Sequence, residues 1–246
     1  MAEIARVQDQ LSDRRLSARQ KYARLVIGRP GLGALVAYEL TVLAAQAVPG
    51  ALGLALRKLL YPRLLGACGR NVVFGQNVVL RHPHKIRVGD DVVIDDNCLL
   101  DAKGGVNAGI TIGHGVFLGR NTILSCKNGD IELGDSVNIG FNCEVFSASR
   151  VTIGANALFA AYCYVIGGDH DRSDASLPVS QQRRTSAGVS VGTGVWMGAG
   201  AKVMDGVSIG ADAIIGAGAV VRADVPERAI AVGIPARIVG TRDMQG

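Results

Sequence analysis

Aromatic residues are scarce in this chain. Phe, Tyr and Trp make up only 4% of its 246 residues, with a single Trp. That argues against a helical bundle or a nucleotide-binding α/β domain. The five cysteines (68, 98, 126, 143, 163) form no CxxC pair and no zinc-ligand spacing. A zinc ribbon and a disulfide framework are therefore excluded, and reduced thiols in a cytoplasmic protein are expected. The first ten residues, MAEIARVQDQ, lack the apolar core of a secretory signal. What is abundant is aliphatic and small: 48% of residues are hydrophobic and 33 are Gly. Such a core is assembled from branched aliphatics at tight backbone corners, and the length fits one domain plus an appendage.

Charge divides the chain. Residues 1–70 hold eleven Lys/Arg against four Asp/Glu, whereas the remainder holds 15 bases against 17 acids. A basic head on a near-neutral body points to an anionic surface as the head's partner. No nucleic-acid partner is predicted.

From residue 88 the sequence repeats every six residues. An aliphatic residue is often followed by Gly, with a small or β-branched residue four places on. Ile112-Gly113, Leu118-Gly119, Ile139-Gly140, Ile153-Gly154, Met197-Gly198, Ile209-Gly210 and Ile215-Gly216 carry the pattern. A period of six matches neither a helix nor an alternating strand. It matches a parallel β-helix in which three hexads make one triangular turn, so residues about 18 apart stack. Cys98, Cys143 and Cys163 fall on the small inward position and are assigned to the core. The register slips near 125–133 and 147–153.

The large break lies between Val165 and Val191, where the polar, turn-rich run GGDHDRSDASLPVSQQRRTSAG adds 20 residues beyond one hexad. It is expected to be an extruded loop over residues 168–188, and a long loop leaving a rigid corner is where function concentrates. His170 stands at its start between Asp169 and Asp171. The other three His, at 82, 84 and 114, are expected on solvated surface.

Residues 131–240 resemble the hexapeptide-repeat acyltransferases of the maltose/galactoside and polysaccharide O-acetyltransferase group. The segments VTIGANALFAAYCYVIGGDHD, VWMGAGAKVMDGVSIGADAIIGAGAVV and DVPERAIAVGIPARIVG carry the likeness, in order. The resemblance implies a left-handed parallel β-helix over 71–240, a homotrimer with active sites between subunits, and acetyl-CoA as co-substrate without a metal. It implies His170 as general base, Trp196 as the aromatic residue beside the loop, Ala199 and Ala217 as backbone contacts to the pantetheine arm, and Arg237 as a contact to the nucleotide phosphates. The chain departs from the group at Arg222-Ala223, where Thr-Lys is common, which makes Arg222 a second candidate for phosphate contact. Positions that contact sugar acceptors in the galactoside branch fall on Gly140 and on Ser147 or Ala148. Asn142 and Glu144 are the nearby polar replacements, and Asp169, Asp171 or Glu144 could orient the imidazole. The expected reaction is acyl transfer to a hydroxyl or amino group of a sugar or cell-envelope glycan precursor. Neutral imidazole has the basicity to accept the acceptor's proton near pH 7.

The N-terminal 70 residues are expected to be helical. Residues 30–56 hold one charged residue, Glu39, but Pro49-Gly50 interrupts the stretch, so two short helices at about 32–47 and 51–65 are predicted. Two roles are open. The helices lie in a membrane interface through residues 30–66, with Arg57, Lys58 and Arg63 toward lipid phosphates, as a peripheral protein on the inner face of the cell membrane. Alternatively they cap the open first turn of the β-helix or contact other subunits of the trimer, and both roles can hold together. Seventy residues cannot supply the phosphate-binding domain of a nucleotidyltransferase fusion, and four scattered His exclude a three-His zinc site. The alternative from another class is a non-catalytic β-helix scaffold at the membrane. Residues 241–246 are assigned to a tail.

Overall fold

The computed structural model describes residues 14–242; the first 13 residues and the end of the expected tail lie outside them. From Ala67 the chain winds as a parallel β-helix with three flat faces, made of strands two to five residues long. Face A runs from Ala67–Cys68 to Ser208–Ile209, face B from Val73–Phe74 to Ala229–Val232, and face C from Val79–Arg81 to Val220–Val221. All the pairing between successive turns is parallel, and the antiparallel strand Arg237–Thr241 closes face B.

The inward residues stack in columns. Along face B, Phe74, Ile94, Leu118, Ile139, Phe159, Met197, Ile215 and Ala231 lie one above another. All are buried, as are Cys98, Cys126, Cys143 and Cys163. Alternation at each short strand places one side chain inside and the next outside, which is why small and branched aliphatics suffice.

Two expectations need correction. The solenoid begins at Ala67, four residues before the expected boundary at 71 and one turn before the regular hexads at 88. The 18-residue stacking holds only at the C-terminal end, as in Trp196 over Ile214 and Lys202 over Val220. Earlier partners are farther apart: Val79 pairs with Leu99, Ile86 with Ile110, Asn138 with Leu158. The extra residues all leave at one corner, between faces C and A, so the slips are corner insertions rather than defects. The 168–188 excursion leaves from that same corner.

The N-terminal segment forms helices α1 (Ala18–Tyr22), α2 (Leu32–Ala45) and α3 (Gly50–Leu60). Ser17 and Gln20 close a capping box on α1. α2 and α3 lie across the first turn as a cap. Tyr38 and Tyr61 donate their hydroxyls to Leu80 O at 2.9 Å and Val78 O at 3.0 Å. Tyr61 packs edge-on against Phe74 at 5.3 Å.

Arg57 does not face lipid. It is 1% exposed and donates to Phe74 O (2.9 Å), Ala45 O (2.9 Å) and Val48 O (2.7 Å). One guanidinium thus satisfies carbonyls at the end of α2 and on the first turn together, the planar fork that lysine lacks. His82 is not solvated either. It is buried, and its Nε2–H donates to Arg24 O at 2.9 Å. His84 is half-buried and hydrogen-bonds to the Ile27 backbone. Together the two rings clamp the end of the 18–27 segment. His114 is exposed, as expected.

Candidate active site

The chain leaves face C after Gly167, whose strand partner is Ser147, and rejoins face A at Val189. The first step is tight: a Cβ on Gly168 would lie 2.9 Å from the Ala148 Cβ and 3.3 Å from the Phe146 ring. Asp169–His170 then pairs antiparallel with Arg184–Thr185. Beyond this hairpin, Gln182 holds the tip, donating to Asp174 O (2.8 Å) and Leu177 O (3.0 Å). At the return, Ser186 Oγ donates to Gly167 O at 2.9 Å, and the amides of Ala187 and Gly188 each donate to the Asp205 carboxylate at 2.9 Å. The excursion is therefore an anchored, internally bonded hairpin, and it presents His170 at a defined corner.

His170 is exposed, and its imidazole makes no hydrogen bond among the described residues. The carboxylates near it are occupied. Asp169 accepts from the His170 amide at 2.7 Å and pairs with Arg172 at 3.4 Å. Asp171 accepts from the Ser173 amide at 2.9 Å, and that backbone bond holds its pKa below the usual range. Glu144 stands at the far end of the face C strand whose last residue, Ser147, meets Gly167. Among the described residues none of the three is bonded to the imidazole.

The second group of predicted residues gathers at a different corner, between faces B and C. Trp196 projects outward from face B, stacked between Leu158 and Ile214. Ala199 and Ala217 are exposed there, one turn apart, with Gly218 N bonded to Ala199 O at 2.8 Å. Glycines flank both: a Cβ on Gly198 would lie 2.5 Å from Ala217 N, and Gly200 and Gly218 have φ of 71° and 68°. This makes a bare ledge of backbone. Arg237 opens the closing strand opposite Val232, whose side chain packs on Gly216, so it belongs to the same ledge. Arg222 is exposed beyond the last strand of face C, one face width away.

Asn142 lies lower on the ledge's corner at a φ of 55°, its amide oxygen accepting from Asn121 at 2.9 Å. It is a corner-former first. Beside it is a feature that sequence reasoning missed. Phe141 and Tyr162 meet edge to face at 5.7 Å, and the Arg120 guanidinium lies 4.8 Å from the Phe141 centroid. Tyr162 takes a φ of 63°, unusual for a bulky residue, and is 60% exposed. In a chain so poor in aromatics, an exposed pair was the available signal. Among the described residues no cluster of His, Cys, Asp and Glu could hold a metal.

Residues 188–223 match the family model described as Bacterial transferase hexapeptide (six repeats). Over 137 residues the chain is 32% identical to a Mycobacterium tuberculosis protein named as an acetyltransferase, covering 56% of this chain and 46% of that protein. It is 28% identical over 149 residues to Escherichia coli WbbJ, named for lipopolysaccharide biosynthesis O-acetyl transfer, covering 58% of this chain and 74% of the relative. Among solved structures, AntD, an N-acyltransferase from Bacillus cereus in complex with dTDP and 3-hydroxybutyryl-CoA, aligns with a TM-score of 0.52 at 23% identity, over 73% of this chain and 84% of that one. That likeness shows the fold. The match thus spans under half of the mycobacterial relative's length. In sequence and fold the chain is similar to the hexapeptide-repeat acyltransferases.

Proposed function

We propose that this chain, with its bacterial transferase hexapeptide repeats, is an acyl-CoA-dependent acyltransferase. It moves an acyl group, acetyl first among them, to a sugar or cell-envelope glycan precursor, with His170 as base. The observation that carries the reading is the pairing of an anchored hairpin bearing an unengaged imidazole with a bare backbone ledge. A hydroxyl is preferred over an amine as acceptor, following the name of the E. coli relative.

The ledge suits a long, flexible thioester arm, because backbone amides and carbonyls are approachable only where no Cβ stands in the way. Arg237 and Arg222 supply cations for the phosphates. The exposed Phe141–Tyr162 pair offers aromatic surface for a sugar ring, and Arg120 beside it favours an acceptor carrying negative charge. His170 takes the proton of the acceptor hydroxyl as its oxygen attacks the thioester carbonyl. The C–S bond then breaks, and the proton passes to the leaving thiolate. No covalent enzyme intermediate is needed, since CoA already activates the acyl group.

The hairpin and the ledge sit on different corners of one prism. A face of two to four residues, at about 3.3 Å per residue with its corners, separates them by roughly 15 Å. A neighbouring copy can bring its ledge to this copy's His170, which favours a homotrimer with three shared sites. His170→Ala should lower kcat about 10²- to 10⁴-fold. CoA affinity by calorimetry, circular dichroism and oligomeric mass should be unchanged. Full activity in that variant would sink the assignment.

A further inference from the structure

The inner side of α2 explains itself: Tyr38, Thr41 and Ala45 are buried on the first turn. Its outer side has no such account. Leu32, Val36, Leu40 and Leu43 follow the i, i+4, i+8, i+11 spacing of a single helix stripe, and all are exposed, Leu43 by 83%. Leu52 and Leu59 on α3 are exposed as well, Leu52 by 65%. The one charge on α2, Glu39, is tied by the Tyr22 hydroxyl at 2.6 Å. An exposed apolar stripe of this kind calls for a covering phase.

Its surroundings say which. Residues 14–66 hold nine Lys/Arg and one acid, and of the nine Arg57 is buried. Arg19, Arg24, Arg29, Lys58 and Arg63 are exposed on the same helical head. A second copy would bring the same positive charge against itself. An anionic lipid surface accepts both the leucines and the bases. Spanning is not available to this stripe. No single described helix is long and apolar enough, and the 14-residue α2 measures about 21 Å against a hydrocarbon core of about 30 Å. The segments Ala18–Ile27 and Leu32–Ala45 pass a length test only as a pair bent by 68°, and the first of them carries Arg19, Lys21 and Arg24.

We infer that the outer face of α2 and α3 is a monotopic docking surface for an anionic bilayer, the helices lying in the interface plane while their inner faces cap the solenoid. The two roles that the sequence left open, and compatible, are then two sides of one element. Its occupant is independent of the acyltransferase reading.

Full-length protein should co-sediment with vesicles of phosphatidylethanolamine and phosphatidylglycerol, and about tenfold less with pure phosphatidylcholine. Leu40→Glu with Leu43→Glu, both outward-facing, should lower partition into the anionic vesicles at least tenfold. Arg29→Glu with Lys58→Glu should lower it several-fold and flatten its salt dependence. Both variants should keep the wild-type melting curve and full turnover of a soluble acceptor. Wild-type protein that stays in the supernatant with anionic vesicles overturns the inference. So does a leucine double variant that binds them as wild type does. A change in oligomeric mass in that variant, without vesicles present, would assign the stripe to a copy–copy contact instead.

Discussion

The N-terminal and C-terminal turns of this solenoid solve the same corner differently. Between faces B and C the early turns place Asn77, Asn97, Asn121 and Asn142 at positive φ, and their amides bond upward, Asn77 to Asn97 at 3.2 Å and Asn121 to Asn142 at 2.9 Å. The late turns place Gly200 and Gly218 there, with Ala199 and Ala217 before them. Asn tolerates the left-handed region by local hydrogen bonding, and Gly enters it without a Cβ. One half of the corner is closed by a side-chain ladder, the other left open to whatever lies along it. The fold is uniform; the accessibility of its backbone is not. The family match over 188–223 coincides with the open half.

The largest effect on this contrast comes from loosening the cap that sits on the closed half. Arg57→Ala strands three carbonyls at the cap. It should cost about 3 kcal/mol, at one to three kcal/mol per lost partner in a buried setting with some relaxation. Hydrogen exchange should show the loss in residues 32–81, with CoA affinity at the far end retained. A smaller effect is expected from exchanging the corners. Gly200→Asn keeps the left-handed backbone but plants a side chain on the ledge, so CoA affinity should fall about tenfold with little change in Tm. Asn121→Gly removes a ladder bond worth about 1 kcal/mol and should leave CoA affinity within twofold. Equal loss of affinity in both variants would erase the distinction.

The mildest test is pH. His82 and His84 each have a buried Nδ1 without a partner among the described residues. Burial pushes both pKa values down. At His82 the bond to the Arg24 carbonyl and Asp101 favour the charged form, and Lys85 and Lys103 oppose it more weakly; at His84 Arg29, His82 and Lys85 add to burial against a weaker bond to the Ile27 backbone, and its pKa falls to about 4. With folded pKa values below the ordinary 6.5, the unfolded segment binds the proton first. Cap stability is therefore complete above pH 6.5 and declines as pH falls from there toward 4. Acid should loosen residues 18–27 before the solenoid, as proteolysis at Arg24 would register.

Much of this was legible in the chain itself. The inward column and its Gly neighbours gave the β-helix, because six-residue periodicity is hard to produce otherwise, and the 20-residue interruption located the hairpin. The rest escaped for identifiable reasons. Residues 67–70 precede any regular hexad, so the start of the first turn was placed four residues late, at 71. Arg57 and His82 carry polar side chains, and only the cap shows that the carbonyls they serve converge on buried positions. The Arg120–Phe141–Tyr162 stack needs a spacing of about 21, whereas the ideal spacing of 18 scatters those residues. The insertions that shift it lie at another corner.

A solenoid with a fixed pitch is also a height gauge. On face C, Val79–Arg81 and Tyr164–Gly167 are the first and fifth strands, four spacings apart at about 4.8 Å each, or roughly 19 Å. With the leucine stripe on a bilayer and the prism standing away from it, the turn count would set the standoff of His170. An acceptor held in that bilayer would have to carry its reactive group out to that height, which a short headgroup cannot do and an extended glycan can.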